Sequence, residues 1–170
     1  CFSCGKVENG ADVPKRTYKK KDDDMDLLDS EYKQLSKRKI PLDICRKYGY
    51  GIGKDKNGNS CQIANYYNSD KQIVAQKLRY PDKTFKFIGE SKEATMFGMN
   101  LWGNKGKKIV ITEGEIDTLS VATAFGGKYP VVSLKNGANA SKKELSKFRD
   151  YFEGYEEIYF WFDNDDIGNK

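Results

Sequence analysis

From Lys108 onward the chain alternates apolar runs of strand length with segments at helical spacing. "KIVIT", "YPVVSL" and "IYFWF" are the runs, and two amphipathic stretches separate them. In the first, Ile116, Leu119, Ala122 and Phe125 recur at helical spacing from Glu115 to Phe125, and Gly126 and Gly127 supply a C-terminal stop. The second opens on Ser141 with Glu144 three residues on, a capping-box pattern, carries Leu145, Phe148 and Phe152 on one face, and ends near Gly154. The spacing predicts a βαβαβ unit. Right-handed crossovers would place its three strands in one parallel sheet with all carboxyl ends at the same edge.

Before that unit, from about residue 30 to 105, the pattern is different. Two short helical pieces, "EYKQLSKRK" and a second opening at Pro41 in "PLDICRKYG", precede several extended runs. Turns are predicted at Gly51, at Asn57-Gly58 and at Asn68-Ser69-Asp70, and "CQIANYY" and "QIVAQKLRY" flank the last as a hairpin would. This reads as a small α+β lobe with antiparallel strands. Residues 6–29 have no apolar period and read as a flexible linker. The opening "CFSCGK" and the closing "DNDDIGNK" both read as cuts, so the chain is expected to be a fragment.

Composition then narrows the chemistry. A chain of 170 residues suffices for one ordinary domain or two small lobes, and nothing in it is long and apolar enough for a transmembrane helix or resembles a signal peptide. Four cysteines at uneven spacing fit a reducing compartment, hence the cytoplasm, better than a disulfide framework. Histidine is absent, which removes histidine-dependent triads and zinc hydrolases and leaves acid-base and metal chemistry to carboxylates, cysteines, lysines and tyrosines. The net charge of +5 permits a polyanionic partner without demanding one.

Acids mark the edge where strands become helices. Glu113 leaves the first strand there, and Asp163 and Asp165 leave "IYFWF" at the same edge, two residues apart so that both can face one side. A phosphate loop would place glycines and bare amides at such a turn. Carboxylates there would repel phosphate unless a divalent cation stood between, and Mg²⁺ prefers hard oxygen ligands. Converging acids therefore point to metal-mediated phosphoryl chemistry. Glu115 and Asp117, in the first helical turn, can equally serve to complement the helix dipole.

"VITEGEIDTLSV" followed some fifty positions later by "FWFDNDDIG" resembles the Toprim signature of topoisomerases and primases. The flanks "QKLRYPDKTFKFIG", "MFGMNLW" and "YPVVSLKNGANASKK" resemble the primase half of phage primase-helicases, related also to the mitochondrial replicative helicase. The resemblance covers roughly residues 30 to 170. It implies an α/β fold, a Rossmann-like Toprim sheet of residues 106–170 behind a basic lobe of residues 30–105, with residues 1–5 the remnant of a zinc module. The implied activity is Mg²⁺-dependent (or Mn²⁺-dependent) synthesis of short RNA primers from ribonucleoside triphosphates on single-stranded DNA.

By the same resemblance Glu113 would be metal ligand or general base, Asp163 and Asp165 would be Mg²⁺ ligands, and Asp117 would join them as a catalytic acid. Relatives carry a further acid downstream, beyond the end of this chain. Nucleotide or template contacts fall to Arg38, Lys77 and Lys83. Strand alternation puts Arg79 on the face of Lys77, while Lys86 follows in an aromatic-rich turn. Each of these lysines can also be part of a solvated face. Phe85 and Phe87 alternate as core residues would, with stacking on a base the alternative. Cys1 and Cys4 resemble half of a four-cysteine Zn²⁺ ribbon, and Zn²⁺ needs four ligands. Cys45 and Cys61 read as buried packing residues. A relative's histidine after "VVSL" is replaced here by Lys135-Asn136. Partners implied are single-stranded DNA, ribonucleoside triphosphates, a helicase domain in cis and a DNA polymerase, in a phage protein acting in the host cytoplasm. No GxxxxGK motif is present to supply a motor. A Toprim nuclease or topoisomerase and a non-catalytic nucleic-acid binder stay open; dependence on Glu113 separates the binder, and labelled ribonucleotides with single-stranded DNA and Mg²⁺ separate synthesis from cleavage.

Overall fold

The computed structural model describes residues 27–137 and 141–162. Among these, five strands form an antiparallel meander in chain order: β1 (Ser30–Glu31), β2 (Tyr50–Lys54), β3 (Ser60–Tyr67), β4 (Ile73–Arg79) and β5 (Phe85–Gly89). The predicted turns at Asn57-Gly58 and Asn68–Asp70 join β2 to β3 and β3 to β4. In the second, Asn68 Oδ1 accepts from the backbone N–H groups of Asp70 and Gln72, the local cap that asparagine supplies at turns.

Two expectations for this lobe are corrected. "EYKQLSKRK" does not make a helix beyond a single 3₁₀ turn at Ser36–Arg38, because Leu35 and Ile40 pair as an antiparallel bridge around it and turn their side chains into the core. Gly51 is not a turn but a position inside β2, where a Cβ would come within 2.7 Å of Ser30 Oγ; the missing side chain lets β1 lie close. Helix α1 (Leu42–Tyr48) follows the pattern and ends on Gly49 in the left-handed conformation (φ 68°). Leu28, inside the segment read as linker, exchanges hydrogen bonds with the Gln76 side chain.

The second unit has the predicted order of strands and helices, with the second helix in two pieces: β6 (Gly106–Thr112), α2 (Glu115–Ala124), β7 (Val131–Ser133), then α3 (Ser141–Lys147) and α4 (Arg149–Phe152), and β8 (Tyr155–Trp161). The sheet is parallel in the order β7-β6-β8. Alternation along β6 explains both layers. Val110 points to the side of α2 and packs with Ile116 and Leu119, while Ile109 and Ile111 point to the other and pack with Phe152. The second helical stretch breaks at Phe148, whose N–H donates back three residues to Leu145; this tighter turn lets Phe148 and Phe152 both reach that layer. Glu144, read as half of a capping box, instead turns its carboxylate to the backbone N–H of Lys135.

A single apolar core joins the two units. Ile44, Tyr48 and Tyr66 of the first pack with Val110, Leu119 and Val131 of the second. Polar ties cross the same seam: Lys47 Nζ donates to Gly127 O at 2.6 Å, Lys135 Nζ donates to Ala94 O at 2.8 Å, and the Tyr48 hydroxyl donates to Val131 O at 3.2 Å. No helix among the described residues is long and apolar enough to cross a membrane.

Candidate active site

Chain connectivity decides where ligands can bind. From central β6 the chain passes through α2 to β7 on one side, then through α3 and α4 to β8 on the other. Connections that leave a strand in opposite directions open a crevice at its carboxyl end. Glu113 follows Thr112, the last residue of β6, at that crevice. Its Oε1 lies against the loop after β7, since a Cβ on Gly137 (φ 70°) would sit 3.3 Å from it. Asp117, in the first turn of α2, has its Oδ2 3.2 Å from where a Gly114 Cβ would be. The register pairs Trp161 with Thr112, so β8 leaves the sheet at the level of Glu113. Asp163 and Asp165 lie outside the described residues, as do Cys1 and Cys4.

Hard carboxylate oxygens at this edge are the donor chemistry that Mg²⁺ takes. Among the described residues no three His, Cys, Asp or Glu side chains form a metal-binding group. Cys45 and Cys61 are free and buried, as packing residues are.

The first helical turn of α2 holds more than a dipole complement. Glu115 is 7% exposed, and its Oε1 accepts from the Tyr66 hydroxyl of β3 and from Lys77 Nζ of β4 at 2.9 Å. Lys77 Nζ also donates to Lys135 O at 2.7 Å. Burial pushes the Tyr66 hydroxyl well above the ordinary tyrosine range, and the Glu115 carboxylate beside it adds to the effect. Tyr66 therefore remains a donor at any ordinary pH. Lys135 replaces solvent with backbone carbonyls of Ser91 and Ala94 around its ammonium, and burial lowers its pKa.

The expected cations separate into two groups. Arg38, Arg79 and Lys83 all line one cavity of about 510 Å³ between the 3₁₀ turn and β4, with Ile116 of α2 as its wall on the side of the acids. Lys77 points inward to Glu115, with Phe85 and Phe87 against its ammonium at 4.7 and 5.6 Å. Lys86 pairs with Leu78 and lines a pocket on the opposite face of the sheet with Leu28 and Asp55, so it does not join the cavity. Tyr66, Lys135 and Glu144 have no signal in local pattern. Only a buried acid in need of partners could have pointed to them.

The family model "Bacteriophage T7 DNA helicase/primase, N-terminal a+b fold" matches residues 30–89, and the model "Toprim-like" matches residues 110–170. The chain is 45% identical over 139 residues to the DNA helicase/primase of Enterobacteria phage T3, covering 82% of this chain and 24% of that one. It therefore spans about a quarter of that relative's length. The crystal structure of the primase fragment of the bacteriophage T7 primase-helicase is similar at a TM-score of 0.78 and 43% identity, over 85% of this chain and 60% of that one. A structure of the bacteriophage T7 lagging-strand DNA polymerase with primase domains of two subunits bound to an RNA/DNA hybrid and dTTP gives a TM-score of 0.76 and 44% identity, over 84% and 71%. The DnaG primase catalytic domain bound to ssDNA shares the fold at a TM-score of 0.51 and 12% identity, over 79% and 56%. With its antiparallel lobe, its parallel sheet and Glu113 at the head of the switch point, the chain belongs to the Toprim primases of the phage primase-helicase type.

Proposed function

We propose that this chain is the nucleotidyl-transferring part of a DNA primase, which joins ribonucleoside triphosphates into a short RNA primer against single-stranded DNA. The observation that carries the reading is the juxtaposition at the start of α2. The acid-bearing sheet edge leads into α2, and Ile116 in the first turn of that helix also lines the cavity that holds Arg38, Arg79 and Lys83. Triphosphate charge would be received by the cations, and the reacting phosphorus would be brought toward the acids.

In the reaction a 3′-hydroxyl oxygen bonds to the α-phosphorus of the incoming nucleotide while the bond to pyrophosphate breaks. Glu113, with Asp163 and Asp165, would hold Mg²⁺, and Glu113 could take the hydroxyl proton. When bound, the ion neutralises developing charge on the phosphate oxygens. Asp117, in the first turn of α2, follows Glu113 by four residues and would orient it or share its load. Lys77, paired with Glu115 and Lys135 O, would order the seam beside the cavity rather than add net charge to it. Cys1 and Cys4 would supply two of four Zn²⁺ ligands, and a helicase domain in cis and a DNA polymerase would be the partners, in the cytoplasm of a phage host. The phage T3 relative is itself described as a helicase/primase.

Strand cleavage by a tyrosine nucleophile is the competing chemistry. Tyr48, Tyr50, Tyr66 and Tyr151 are held above the ordinary tyrosine range, chiefly by burial, the opposite of activation, while Tyr129 and Tyr159 are exposed and leave that chemistry to the experiment. The deciding experiment incubates the full-length protein with labelled ribonucleoside triphosphates, single-stranded DNA and Mg²⁺. Template-dependent oligoribonucleotides support the reading, and shortened or relaxed DNA without RNA products contradicts it.

A further inference from the structure

An aromatic row runs out of the core along the cleft face of the antiparallel sheet. Phe97 packs against Tyr66 with centroids 5.7 Å apart, and Tyr66 against Phe87 at 5.4 Å, both inside the shared core. The row ends at Phe85, which pairs across the strands with Arg79 and is 57% exposed. The expectation of a core residue from alternation therefore fails at Phe85, the first residue of edge strand β5, and holds for Phe87, which packs against the shared core.

Phe85 is exposed but not loose. The Lys77 ammonium lies 4.7 Å from its ring centroid, and that ammonium is itself fixed by Glu115 and Lys135 O. A cation so placed attracts the ring face and favours that orientation. The surroundings are cationic: Arg79 is its cross-strand partner, and Lys83 lies two residues ahead in the β4–β5 turn at φ 70°. A fixed aromatic surface beside positive charges is the arrangement by which single strands are held, bases on rings and phosphates on cations. We propose that Phe85 is a stacking platform for a base of the single-stranded template.

The choice of a strand over a free nucleotide follows from shape. A small ligand is bound by a concavity that covers most of its surface, and Phe85 lies on an open edge outside the set of residues that lines the 510 Å³ cavity. A strand needs only one face per base and passes on to the next contact. The inference rests on the primase reading in assuming that single-stranded DNA enters this cleft.

The test measures anisotropy of a short fluorescein-labelled oligo(dT) titrated with the 170-residue chain, wild type and variants, over a series of salt concentrations. Phe85→Ala should weaken binding about 5-fold or more, with the salt dependence unchanged because no phosphate contact is lost. Phe85→Trp should restore it, while ATP binding stays at the wild-type level in both. Wild-type binding that Phe85→Ala leaves unaltered overturns the stacking role alone, as does a loss confined to ATP. A wild type that fails to bind oligo(dT) even at low salt overturns the primase reading together with it.

Discussion

Lys77 Nζ and Glu115 Oε1 meet at 2.9 Å across the seam between the antiparallel lobe and the first turn of α2, with both side chains about nine-tenths buried. Tyr66 donates to the same carboxylate oxygen. Removing one partner of a buried pair strands a charge away from water, which costs about 3–5 kcal/mol. Glu115→Ala is therefore expected to destabilise by that amount in urea unfolding. Tyr66→Phe, which deletes one hydrogen bond to a charged group, should cost about 1.5–3 kcal/mol. The double variant Lys77→Met with Glu115→Gln should be far less damaging than the sum of its singles, because neither charge is left alone.

Gly137 is held at φ 70° with Glu113 Oε1 within 3.3 Å of its absent Cβ. Gly137→Ala should lower stability by about 1–2 kcal/mol, the cost of a left-handed backbone for an L residue. Its larger effect should be on primer synthesis, down about tenfold, since the added methyl shifts the Glu113 carboxylate by a few tenths of an ångström. Comparing kcat with the unfolding midpoint separates the two effects.

Glu144 gives stability a pH dependence of unusual sign. Burial raises its pKa above the ordinary 4.5, against the lowering effects of the Lys135 N–H and nearby lysines. The folded state thus binds this proton more tightly than the unfolded state. Its contribution is full below about 4.5 and is lost as pH rises through the raised value. Urea midpoints should show this component falling over the weakly acid range, and Glu144→Gln should remove it. A wild type and variant with parallel pH profiles there would contradict the assignment.

How far the sequence could be read depends on the range of the interactions involved. The parallel sheet and α2 were legible because "KIVIT" and the Ile116–Phe125 stripe carry their periods locally, and the apolar faces those periods define are the ones buried. Glu113 was legible because its place at a strand end is a topological matter. Glu115 was not, since a helix-dipole acid and a buried ion-pair partner look alike until β3 and β4 bring Tyr66 and Lys77 to it from 49 and 38 residues away. The 3₁₀ turn at Ser36–Arg38 escaped because the Leu35–Ile40 bridge outweighs the helix propensity of its lysines. Phe85 was read as core because alternation tells which residues share a face but not where the core beneath that face ends; Lys86, expected in a turn, lies inside β5 and is exposed, as its solvated-face reading allowed.

Arg38, Arg79 and Lys83 share one cavity, so they should act together on phosphate. Each alanine variant is expected to weaken single-stranded DNA or triphosphate binding and to reduce the salt slope by about one phosphate contact. Lys86→Ala, on the opposite face, should change neither. Binding isotherms over a salt series check this directly.

Glu113 at the switch point carries the central claim, and its isosteric variant tests it most directly. Primer synthesis by full-length Glu113→Gln, measured with labelled ribonucleoside triphosphates on single-stranded DNA, is expected to fall by about a thousandfold or more, while its affinity for the DNA stays at the wild-type level. Synthesis at an undiminished rate would contradict the account.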